Sequence, residues 1–163
     1  MSANEKQIKE GLKMIGNTVA LVTSQQGNLR DATTVAWISR VSNIPPLIMI
    51  SIAPERFIHK LILESGEFNV AILGEDNEEL AIYCGTNTAY EVDKFKEGNI
   101  ATFKAGVVSA PLINDALVNL ECKMVETKRA GDHTIFIGEA IAAHTMRQGR
   151  PLMVTDRLCT LEY

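Results

Sequence analysis

The chain has 163 residues, 46% of them hydrophobic and 22% charged, with a formal net charge of −4 and a pI near 5.4. That is the size of one domain with enough apolar side chains for a core, which argues against disorder. The acidic balance argues against the basic face of a nucleic-acid binder and the polybasic patch of a membrane-surface protein, while leaving room for a small anionic ligand.

The polar opening MSANEKQIKEGL has no apolar stretch of the kind a secretory signal needs. The longest apolar run, Ile44 to Ala53, is interrupted by Pro45 and Pro46 and is too short to cross a bilayer. Cys84, Cys122 and Cys159 are odd in number, far apart and form no CxxC pair, so neither a disulfide scaffold nor a structural zinc site is expected. These features predict a soluble, cytoplasmic protein with a single domain over residues 1–163.

In chain order, residues 2–16 read as a helix: Ser2 and Glu5 stand in capping-box spacing, Ile8, Leu12 and Ile15 share one face, and Gly16 is a stop. Thr18–Ser24 and Ala32–Val41 read as strands around the turn residues QQGN. Leu47–Ile52 is apolar at every position, as in a strand buried on both faces. Pro54 suits the first turn of a helix whose stripe is Phe57, Ile58, Leu61 and Ile62 and which ends near Gly66. Phe68–Leu73 is a further strand, Asn77–Tyr83 a short helix, and Gly85–Ala101 a polar loop. Val107–Ser109, Leu117–Thr127, Thr134–His144 and Val154–Tyr163 are strand-like, with RAGDH as a hairpin turn. Strands follow strands more often than they alternate with helices, which predicts a mainly β fold, an antiparallel barrel or sandwich with peripheral helices.

The glycines form neither a GxGxxG nor a GxxxxGK pattern, so a Rossmann site and a P-loop are unsupported. His59, His133 and His144 lack the spacings that bring two imidazoles to one ion, so no metal site is expected. There is no GxSxG elbow. Cys122 reads as a small buried hydrophobe and Cys84 as an exposed loop thiol. Anion binding has better support: Ser51 and Arg56 bracket a helix start, where free N–H groups and a guanidinium favour phosphate, and Thr33 and Thr34 face the same space. A solvated first-turn side chain remains the competing reading of Arg56. For Asp132 and His133 the residues leave open a functional pair or a turn whose Asp caps its own backbone.

The run "ATTVAWISRVSNIPPLIMISIAPERFIHKLILESGEFNVAIL" resembles the core of the flavin reductase-like family of FMN-binding split barrels. The shared pattern is Thr34 and Trp37, the turn Ser42 to Pro46, the strand Leu47–Ile52, Arg56, and "SGEF" at Ser65–Phe68. "VDKF" at Val92–Phe95 and the Gly-Asp-His turn running into an apolar strand match as well. The resemblance spans roughly Leu12 to Ala143. It implies an antiparallel Greek-key split β-barrel that binds FMN, with FAD as the alternative, and a homodimer with flavin near the subunit interface. It further implies that Thr33, Thr34, Val35, Ala36, Ser51, Ile52 and Ala53 line the flavin, that Arg56 meets its phosphate, that His59 lies near it, and that Lys94 adds a second positive charge. His133 would contact a nicotinamide or another electron-exchange partner, with Asp132 orienting the imidazole. Two positions depart from the family pattern: Ile58 stands where relatives often carry Thr or Ser, and Ala36 where they often carry Ser. The implied activity is an FMN-binding oxidoreductase carrying electrons from NAD(P)H to free flavin, ferric chelate or a redox protein. The alternatives are a flavoredoxin-like electron-transfer protein without its own NAD(P)H site, and a flavin-binding domain without turnover.

Overall fold

The computed structural model describes residues 2–155 and the backbone of 158–159. Helix α1 (Ala3–Lys13) opens on the expected capping box, with the Ser2 hydroxyl accepting from the Glu5 amide and the Glu5 carboxylate from the Ser2 N–H. It ends ahead of Gly16 and buries none of its residues; Ile8, Leu12 and Ile15 all stay exposed. Five strands follow: β1 (Asn17–Thr18), β2 (Ala20–Gln26), β3 (Leu29–Val35), β4 (Ile38–Ser42) and β5 (Leu47–Ile52). Helix α2 (Phe57–Ser65), strand β6 (Glu67–Ile72), a 3₁₀ turn at Glu75–Asn77, α3 (Glu78–Thr86) and α4 (Lys94–Glu97) come next. The chain continues with β7 (Thr102–Phe103), β8 (Leu112–Ile113), β9 (Val118–Ala130), β10 (His133–Thr145), β11 (Met153–Val154) and β12 (Leu158–Cys159).

Seven strands make one antiparallel sheet in the order β3-β2-β6-β9-β10-β5-β4. The expected single strand Ala32–Val41 is therefore two, because the backbone leaves the ladder at Ala36–Trp37. Strands β3 and β4 are neighbours in the chain but lie at opposite ends of this sheet, so the step between them curls it into a Greek-key split barrel. The long β9–β10 hairpin joins the two halves and turns at Gly131, whose φ of 60° suits a residue without a Cβ. On β10, Gly138 faces the Phe68 ring; a Cβ there would overlap it, so the glycine lets that phenyl group fill the barrel.

Period-2 alternation gives β2 and β6 two buried faces. Ala20, Val22, Phe68 and Val70 pack inward with Ile50, Ile52, Phe136 and the α2 residues Ile58 and Ile62. Leu21 and Ala71 face the other way, beneath Ala81 and Cys84 of α3 and Phe95 of α4. The two-face expectation for Leu47–Ile52 is corrected: Ile50 and Ile52 are buried and Ile48 packs beside them on the same face, whereas Leu47 and Met49 point the other way and are only half-buried.

Three other expectations change. Helix α4 lies within the region read as a polar loop; its N-terminus is capped by Asp93, which accepts from the Phe95 and Lys96 amides. Val107–Ser109 is a loop, because its amides turn to a side chain instead of a strand: Glu121 accepts from Gly106, Val107 and Val108. Of the strand read over Val154–Tyr163, Val154 falls in β11 and Leu158–Cys159 form β12, while residues 156–157 and 160–163 lie outside the described ones. Among the described residues no helix is long and apolar enough to cross a membrane.

Candidate active site

The split between the two sheet ends holds a cavity of about 290 Å³. One wall is the end of β3 (Thr33, Thr34, Val35) with Ala36 and Trp37; the other is the end of β5 (Ser51, Ile52) with Ala53. Strand β3 has a strand neighbour on one side only, and β5 runs past β4 beyond Ile50, so both walls present backbone groups as well as side chains. One backbone bond crosses here, from the Ser51 N–H to the Trp37 carbonyl. The Thr34 hydroxyl donates to the Ala81 carbonyl of α3, which fixes its rotamer.

Arg56 is the N-cap residue of α2, since the helix starts at Phe57 and Pro54 sits in the turn before it. Its exposed guanidinium lines the cavity and donates to the Gly85 carbonyl at 3.1 Å, leaving further N–H groups for an anion beside the helix N-terminus. Glu55 also lines the cavity, a residue that no motif distinguished.

At the mouth, His133 sits at the start of β10. Its Nδ1 is 2.7 Å from Asp132 Oδ1, the hydrogen bond expected of this pair. That bond from His133 is the main reason the Asp132 carboxyl lies below its ordinary range. The imidazole also stacks at a tilt on the Trp37 indole, with centroids 4.5 Å apart, so carboxylate and indole hold it from two sides. Trp37 is 54% exposed and lines the cavity. The place of Trp37 against His133 depends on the strand break after β3.

Two expected residues stand away from the cavity wall. His59, in the first turn of α2, faces the sheet: its Nε2 is 2.9 Å from the Thr134 hydroxyl and its ring meets Phe136 edge-on. Burial, and secondarily the charge of Arg129, lowers its pKa and favours neutral imidazole. The expectation that Lys94 supplies a second positive charge is corrected. Its side chain is buried, its Nζ lies 3.0 Å from Asp31 Oδ1, and it donates to the carbonyls of Ala32 and Cys84. All its hydrogen-bonding capacity is spent joining β3 to α3. Cys84, expected in an exposed loop, is fully buried on α3, and burial pushes its thiol up to about 12. Ile58 is a hydrocarbon side chain packed wholly into the core, so this position offers no hydroxyl beside Arg56.

The donor set fits a flavin phosphate and ring system: a guanidinium at a helix start, hydroxyls and strand-edge backbone along the walls, and an aromatic with an oriented imidazole at the mouth. Comparison with known proteins agrees. The chain is 30% identical over 153 residues to an NADH:riboflavin 5'-phosphate oxidoreductase of Streptomyces pristinaespiralis, covering 93% of this chain and 84% of that one. It is 32% identical over 148 residues to an uncharacterised protein of Aeropyrum pernix, where the match covers 84% of this chain and 56% of the relative. Among solved structures, an NADH:FAD oxidoreductase of Streptomyces globisporus superposes with a TM-score of 0.88 at 24% identity, over 100% of this chain and 96% of that one. A flavoredoxin of Methanosarcina acetivorans gives 0.82 at 26% identity, over 91% and 86%. The model of the flavin reductase like domain matches residues 12–162, and this chain belongs to that family.

Proposed function

We propose that this chain is an NAD(P)H-dependent flavin oxidoreductase that holds FMN in the split of its barrel and delivers electrons to free flavin, a ferric chelate or an oxygenase partner. The observation that carries the reading is one cavity with the Arg56 guanidinium at a helix start on its wall and the Asp132-oriented His133 at its mouth. Relatives supply the class of chemistry: one is an NADH-dependent flavin reductase from a Rhodococcus species, another the reductase component of a resorcinol hydroxylase from Rhizobium.

Arg56 would hold the phosphate, with the α2 N-terminus adding its dipole. Thr33 to Ala36 and Ser51 to Ala53 would line the ring and ribityl chain. A bound flavin supplies the redox chemistry itself, accepting hydride from the nicotinamide and releasing electrons to the acceptor. His133 would position the nicotinamide, and Asp132 and Trp37 keep its imidazole in place beforehand. His133→Ala should slow reduction by NADH about tenfold or more, the scale of a lost positioning contact, while dithionite still bleaches the flavin at the wild-type rate. If NADH reduces the variant as fast as the wild type, His133 does not position the nicotinamide. A wild-type protein bleached by dithionite but by neither NADH nor NADPH would shift the reading to a flavoredoxin-like electron carrier.

The same site supports a homodimer. A second hollow, lined by Leu12, Ile15, Trp37, Ile38 and Met49, lies against the first and shares Trp37 with it. Leu12, Ile15 and Trp37 are all exposed at it, an apolar surface that a second copy would cover.

A further inference from the structure

Two cations converge on the C-terminal end of α3. A helix leaves its last carbonyls without intrahelical donors and gathers partial negative charge there. In α3 the Tyr83 carbonyl accepts from the backbone and side-chain amides of Asn87. The next carbonyl, of Cys84, accepts from the Lys94 ammonium at 3.3 Å, and that of Gly85 from the Arg56 guanidinium at 3.1 Å. Adjacent carbonyls of one helix end therefore link a buried lysine to the exposed arginine on the wall of the flavin cavity.

Lys94 is the fixed end of this link. An ammonium has three donors, and here they meet Asp31 Oδ1 at 3.0 Å, the Ala32 carbonyl at 2.8 Å and the Cys84 carbonyl. Asp31 is held in turn by the Ala32 N–H, and both side chains of the pair are 2% exposed. Desolvation of two buried charges largely offsets their attraction, so such a pair adds little stability; what it supplies is a fixed direction. The helix end also abuts the cavity wall. A Cβ on Gly85 would lie 3.4 Å from the Thr34 Cβ, and the Thr34 hydroxyl donates to the Ala81 carbonyl one turn earlier. Arg56 is the free end: among the described residues its side chain makes one hydrogen bond, to Gly85.

We infer that Lys94 is a positioning residue for the flavin phosphate, acting through Arg56 without touching the ligand. By clamping the end of α3 to β3 it sets the Gly85 carbonyl, and that carbonyl orients the guanidinium before the phosphate arrives. This role rests on the flavin reading above and gives the buried Asp31–Lys94 pair a part in it.

Dissociation constants for FMN, and for riboflavin, which lacks the phosphate, are measured by flavin fluorescence on the whole chain. Asp31→Asn with Lys94→Met removes both buried charges at once, so the net charge near the phosphate is unchanged. This double variant should lower the FMN-to-riboflavin affinity ratio about fivefold, a part of the loss that removing the Arg56 guanidinium would cause. In an Arg56→Ala background the same two substitutions should leave the ratio where Arg56→Ala sets it. An unchanged ratio, with FMN and riboflavin weakened alike or not at all, would make Lys94 purely structural and overturn the inference. A further fall of similar size in the Arg56→Ala background would overturn it too, because Lys94 would then act without Arg56. Should the double variant fail to fold, the wild type decides. With isotope-labelled lysine, the Lys94 ammonium resonance should shift on saturation with FMN and hold still with riboflavin; an equal response to both, or to neither, would overturn the inference. A ratio that Arg56→Ala alone leaves unchanged would show that the phosphate does not lie at Arg56, which removes the underlying site reading as well.

Discussion

Arg56 and Lys94 are both cations near the end of β3, and the fold gives them opposite tasks. Arg56 is exposed and makes one bond to a backbone carbonyl, so most of its fork remains for a ligand. Lys94 is spent inside the protein on Asp31 and two carbonyls. Arg56→Ala should therefore weaken flavin binding by about 1.5–3 kcal/mol, roughly ten- to a hundredfold, with Lys at this position recovering only part of it. A fluorescence titration checks this; an unchanged affinity would place the phosphate elsewhere. The sequence distinguished Arg56 because the turn ahead of a helix is a local signal. It could not assign Lys94, which starts α4 and whose partner Asp31 lies far away in the chain on β3. Nor could it foresee the burial of Cys84, which depends on how α3 docks onto the sheet.

Among the elements, the loop between β7 and β8 shows how a side chain can replace a strand partner. The Glu121 carboxylate, wholly buried on β9, accepts from three consecutive loop amides and lies 2.6 Å from His144 Nε2 on β10. Burial alone would raise its pKa; the bond to His144 and the three amides outweigh that and hold it at about 2. A carboxyl depressed in the folded state stabilises the fold above its unfolded value, and that contribution is lost as the pH falls from about 4.5 towards about 2. Melting temperature should fall across this window, and Glu121→Gln should flatten the fall while lowering stability at neutral pH. An unchanged slope in the variant would show that other groups govern it. The Val107–Ser109 segment has the apolar residues of a strand, and nothing local reveals that a distant carboxylate claims its amides. By contrast the β2–β3 and β9–β10 hairpins, the capping box on α1 and the glycine end of α2 were all legible, because each rests on residues close in the chain.

For the whole molecule, the decisive event is the step at Ala36–Trp37 that sends β3 and β4 to opposite sheet ends and opens the split between them. Composition and strand spacing indicated a mainly β fold, but the position of that opening came from the family resemblance, since strand order is set by long-range pairing. The apolar hollow at Trp37, Leu12 and Ile15 carries the dimer proposal, which sedimentation equilibrium tests: a dimer is expected at micromolar concentration, and a monomer there would overturn it. Flavin-dependent transfer of electrons from a nicotinamide donor is read from the visible spectrum of the flavin-loaded protein, followed anaerobically as NADH and then NADPH are added. The flavin bands should bleach within seconds with at least one donor. A protein that takes up no flavin, or whose bands persist with both donors yet bleach with dithionite, would contradict that transfer.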